Sequence, residues 1–119
     1  MLSMPIGPRR VNDLRRVTIP TREASTVGIA PDSWVVVSAD KRDDGVLVIR
    51  PARGSARSYG IRDPKRARRV SDTGQVTLPA ALLNGSGIEV GGFVAFTCTR
   101  TGLRVFSADR VRGPERRSA

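Results

Sequence analysis

RRVSDTGQVTLP, residues Arg68–Pro79, repeats an earlier stretch of the same chain, RRVNDLRRVTIP, residues Arg9–Pro20. Seven of the twelve aligned positions are identical without a gap, where ordinary composition gives about one. The match continues at the same offset: Gly28-Ile29 answers Gly87-Ile88, and Trp34-Val35 answers Phe93-Val94. An internal repeat constrains the fold before any local reading does, because both copies must suit one structure. With two copies only, the chain reads as a duplicated module and not as a solenoid.

Each copy spans 44 residues, Arg9–Ala52 and Arg68–Val111, in a chain of 119. That is close to the roughly 40 residues below which a lone core needs disulfides, metal or a partner. Cys98 is the only cysteine and histidine is absent, so a disulfide framework or a Cys/His metal site is excluded within one chain. Each copy is therefore expected to complete its core against another. The expected divisions are a flexible N-terminus over 1–8, the first repeat over 9–52, a basic linker over 53–67, the second repeat over 68–111 and a disordered basic tail over 112–119. A linker of 15 residues reaches up to ~50 Å when extended, enough for an intramolecular pair. Pairing between two chains, giving a homodimer or higher oligomer, stays open.

Within each copy the pattern predicts hairpin, short helix, hairpin. Arg10–Asn12 and Val17–Ile19 are β-prone runs around a polar turn, matched by the turn Asp72-Thr73-Gly74-Gln75. Gly74 supplies the positive φ that such a turn often needs, and Arg15 stands at that place in the first copy. Pro20 and Pro79 suit the start of helices over Thr21–Ser25 and Ala80–Asn84, which Gly28 and Gly87 are expected to end. Trp34–Ala39 with Val46–Ile49, and Phe93–Thr99 with Leu103–Phe106, predict the second hairpins. Trp34 and Phe93 open these apolar strands, so they are expected to fill core and not to stack on bases. Cys98 is expected to act as a small buried hydrophobe.

The formal charge is +10. Each repeat carries a net +2, whereas the linker holds five basic residues against Asp63 and the tail three against Glu115. Basic clustering outside the modules, with arginine pairs at the front of each, fits a polyanionic partner. No apolar run reaches the ~20 residues that span a bilayer, and MLSMPIGPRR lacks the charged-then-apolar order of a signal peptide. A cytoplasmic, nucleoid-associated protein is expected, with no membrane partner. The acidic residues show no paired spacing for acid–base work, and no phosphate-cradling loop is present. No catalytic residue, cofactor or metal is expected.

A basic pair, a hydrophobe, an acidic turn, a β-branched strand, Leu/Ile-Pro, a short helix, Gly-Ile and a hairpin together resemble the AbrB/MazE/SpoVT family of swapped-hairpin DNA-binding domains. Both copies match, over about three quarters of the chain. Their tandem arrangement is similar to that of the MraZ regulators. The resemblance implies a mainly β fold with short helices, a swapped-hairpin barrel built from two tandem β-hairpin–helix–β-hairpin repeats. It implies a transcriptional regulator that grips double-stranded DNA through the first hairpins. Arg9, Arg10 and Arg16 in the first repeat carry over, as do Arg68 and Arg69 in the second. Arg15 stands beside Arg16, and Gln75 takes the place of the family's arginine. Gln75 still hydrogen-bonds adenine or phosphate but brings no charge. The helices carry one basic residue, Arg22, in the first copy and none in the second. An asymmetric reader follows, with the first repeat carrying most of the affinity. Two alternatives remain: an antitoxin, disfavoured because its short basic tail is a poor toxin-wrapping segment, and an assembly module that kept the fold without the DNA site.

Overall fold

The valines and isoleucines that alternate along both copies turn inward onto one apolar core. In the computed structural model, which describes residues 5–43, 45–52 and 67–109, the first copy forms β1 (Ile6–Arg10), β2 (Arg16–Thr18), α1 (Thr21–Thr26), β3 (Trp34–Ala39) and β4 (Val46–Pro51). The second forms β5 (Arg68–Arg69), β6 (Gln75–Thr77), α2 (Ala80–Leu83), β7 (Phe93–Cys98) and β8 (Leu103–Ser107). The fold is mainly β with two short helices, its large sheet curled into a half-barrel.

The six-stranded sheet has the order β1-β7-β8-β4-β3-β5. Replacing each strand by its counterpart in the other copy reverses this order onto itself. Strands also cross between the copies. Ile6, Arg9 and Arg10 of β1 lie against Phe96, Val94 and Phe93 of β7. In return, Arg68 and Arg69 of β5 lie against Val35 and Trp34 of β3. All these pairings form within one chain. The predicted first hairpins are corrected by this exchange. β1 and β2 do not form a ladder with each other; after a turn closed by Asn12 N–H to Arg16 O at 3.0 Å, β2 pairs with β6. The resulting two-stranded ribbon connects the two edges of the large sheet.

Second hairpins form where expected, β3 with β4 and β7 with β8. The shorter loop of the second copy closes on Gly102, where a Cβ would collide with the Ile49 carbonyl. Both helices start after proline and are too short to persist in isolation. Their stability comes from packing: Ala24 and Leu83 are buried.

One contiguous core draws on both copies. Val11, Val17, Ile19, Ile29, Val35, Val37, Leu47 and Ile49 come from the first, and Val70, Val76, Leu78, Val94, Phe96, Leu103 and Val105 from the second. Each such side chain contributes about 1.5–3 kcal/mol through its removal from water. Splitting the chain between the copies would expose both sets at once.

Three further expectations change. Trp34 and Phe93 are not core residues; they are 48% and 53% exposed. The strand period explains why. Val35 and Val37, and likewise Val94 and Phe96, take the inward phase, so the first residue of each strand faces away. Ile6, Gly7 and Pro8, expected in a loose end, belong to β1. Cys98 is only half-buried, its thiol near Thr26 Oγ1 at 3.5 Å. The expected linker over 53–67, apart from Ala67, the tail over 112–119 and Met1–Met4 lie outside the described residues.

Candidate nucleic-acid interface

Local chemistry builds the two turns differently on the same backbone path. In the first, Asn12 Oδ1 accepts the N–H groups of Leu14 and Arg16, each at 2.9 Å. In the second, Ser71 Oγ accepts the Gln75 N–H at 2.9 Å. Short polar side chains here organise the turn by bonding the backbone two to four residues on. Gly74 has φ 81°, and Arg15 occupies the same left-handed region at φ 60°. Each turn also clasps the opposite copy: Ile19 N–H donates to Gly74 O at 2.9 Å, and Leu78 N–H to Arg15 O at 2.7 Å.

Arg15 is therefore only partly available. Its side chain is half-buried, and Nε donates to Leu78 O at 3.2 Å. Leu14, at the tip of the turn, is 59% exposed. Arg16, the first residue of β2, is exposed. Its register partner is Thr77, while Thr18 lies opposite Gln75. Between them Val17 pairs with Val76, and both are buried. Side chains alternate along a strand, and directly paired residues share a face. The ribbon thus has a core face carrying the valines and an outer face carrying Arg16, Thr18, Gln75 and Thr77.

The other predicted residues lie on the sheet edges that the ribbon joins. Arg9 and Arg10 are exposed on β1, and Arg10 lies opposite exposed Phe93. On the other edge, Arg69 is exposed opposite Trp34, and Arg68 is half-buried. Arg69 Nη2 donates to Asp32 Oδ1 at 2.8 Å. The first repeat adds exposed Arg22 on α1, where the second has Ala81. The fold therefore brings the predicted residues to one ribbon and its two flanking edges, with more unshared positive charge on the first repeat's side.

Sequence reading missed Thr18 and Thr77 as members of the outer face. The two-residue alternation about Val17 and Val76 was the signal that marks them. It also missed Asp32 as the partner of Arg69, since 37 residues separate the two. Among the described residues, no group of His, Cys, Asp and Glu is placed to hold a metal ion, and no helix is long and apolar enough to cross a membrane. In comparisons with known proteins, the chain matches no family model and no curated protein.

Proposed function

We propose that this protein is a nucleoid-associated, DNA-binding transcriptional regulator built on a swapped-hairpin barrel of the AbrB type, with both modules in one chain. The observation that carries this reading is the exposure of Arg9, Arg10 and Arg16 on the first edge strand and the ribbon that the exchanged strands create. Guanidinium forks match phosphate oxygens and guanine edges with two parallel hydrogen bonds. The exchange of β1 and β5 supports the swapped arrangement, because each arginine pair is then held against the other copy's strand. Phosphate contacts supply most of the affinity, and no catalytic group, cofactor or metal takes part.

The test is a duplex titration at low and raised salt, read by gel shift and by mass in solution. A shift at low salt that weakens steeply with added salt supports the proposal. Alanine at Arg9, Arg10 and Arg16 together should weaken binding at least tenfold. Failure of the wild-type chain to shift any duplex at low salt would leave the assembly-module reading in its place.

A further inference from the structure

We infer that the β2–β6 ribbon enters the major groove and reads a single asymmetric sequence element, with Arg16 selecting guanine and Gln75 selecting adenine about two base-pair steps away. This rests on the DNA-binding reading above and goes further by naming the element, the groove and the bases.

The geometry starts from the register. Arg16 lies directly opposite Thr77, so Gln75, two residues away on the same strand, is its diagonal neighbour on the same face. Such neighbours are separated by about 7–8 Å. Successive bases along one strand are about 3.4 Å apart, so the two side chains span about two base-pair steps. A two-stranded ribbon also has the width that the major groove admits. The buried valines on the opposite face anchor the ribbon to the core, and the two turns fasten its ends through Ile19 to Gly74 and Leu78 to Arg15. A reading element needs this rigidity, since base discrimination is lost when its donors swing freely.

The base preferences follow from chemistry. Arginine donates two parallel bonds to guanine O6 and N7. Glutamine both accepts from adenine N6 and donates to N7. Thr18 and Thr77 flank them on the same face and suit contact with a thymine methyl group. Two identical chains around such a ribbon would read a palindrome. Here the two-fold backbone carries Arg16 at one position and Gln75 at its counterpart, so palindromic reading is broken at the bases while the phosphate grip on both edges stays.

Selection from a randomised duplex library, using the full chain, tests this directly. The expected wild-type motif is non-palindromic, with one invariant guanine and one adenine about two steps away. Gln75→Arg should replace that adenine with a second guanine and restore two-fold symmetry. Arg16→Gln should convert the guanine to adenine. Substituting 7-deazaguanine at the selected guanine removes the N7 acceptor, and should weaken the wild type about tenfold while leaving Arg16→Gln unchanged. This last measurement on the wild type stands even if a variant fails to fold. A palindromic wild-type motif, a motif unmoved by both swaps, or indifference to 7-deazaguanine overturns the inference while DNA binding itself survives. Absence of any duplex binding at low salt sinks both.

Discussion

Arg69 Nη2 lies 2.8 Å from Asp32 Oδ1, and the residue that corresponds to Asp32 in the second copy is Gly91. Arg10, the counterpart of Arg69, thus has no carboxylate at the matching place. Both partners of the ion pair are more than half exposed, so the pair contributes little to stability, on the order of 0–1 kcal/mol. Its consequence is electrostatic: Asp32 offsets the charge of Arg69, whereas Arg10 keeps its own.

Asp32→Asn removes that charge while keeping a residue that tolerates the left-handed backbone found there, φ 66°. Thermal stability should stay within about 1 kcal/mol. Duplex affinity at low salt should rise about two- to fivefold, and the gain should vanish at high salt, where exposed charges are screened. Fluorescence anisotropy at two salt concentrations measures this. Unchanged affinity at low salt would place Arg69 away from the DNA.

Val17 pairs with Val76, its own counterpart 59 residues on (76 minus 17), and both lie in the shared core. Val17→Ala and Val76→Ala should each destabilise by about 1–3 kcal/mol, from lost apolar burial plus the cavity left behind. Because the side chains touch the same core, the double variant should depart from additivity. Urea unfolding followed by Trp34 fluorescence and by circular dichroism should give one coincident transition in every variant. Two separated transitions would mean that the copies fold as independent units.

Much of this architecture could be read from residue pattern, and the parts that could not have a common cause. The boundaries of β3, the start of β7, the proline-led helices and the left-handed position at Gly74 follow from local chemistry, as does the need for the copies to share a core. What escaped were relations set by partners distant in sequence. Arg10 and Val17 sit either side of one turn, which locally resembles a hairpin; only the competing ladders from β7 and β6 pull its arms apart. Trp34 was misplaced because a run of apolar residues hides the phase of its alternation. That phase emerges only once β3 lies between β4 and β5. At the candidate interface, the arginines themselves were legible, but the common face of Arg16 and Gln75 required the register between copies.

Arg15 holds a left-handed conformation at φ 60° where the second copy has glycine, and its Nε bonds Leu78 O. A non-glycine residue in that region costs roughly 1–2 kcal/mol, and the hydrogen bond returns about 1 kcal/mol. Arg15→Ala loses the bond and keeps the strain. Arg15→Gly loses the bond and relieves the strain. The glycine variant should therefore be the more stable of the two by about 1 kcal/mol, the reverse of the usual order inside strands and helices. Chemical denaturation of the pair decides it, and an alanine variant that is the more stable would show the turn to be unstrained.

The uneven distribution of charge predicts an uneven salt response. Each phosphate neutralised on duplex DNA adds about 0.9 to the slope of log affinity against log salt. Arg9 and Arg10 are both exposed on β1, so replacing both with alanine should lower the magnitude of that slope by up to about 2. On the other edge, Arg68 is half-buried and Arg69 shares its charge with Asp32. Alanine at those two positions should lower the slope by less than about 1. The comparison cancels the generic effect of removing two positive charges, since both variants lose the same number. Equal slopes in the two variants would mean that both edges meet phosphates alike, and the first repeat would then have no privileged role in the grip on DNA.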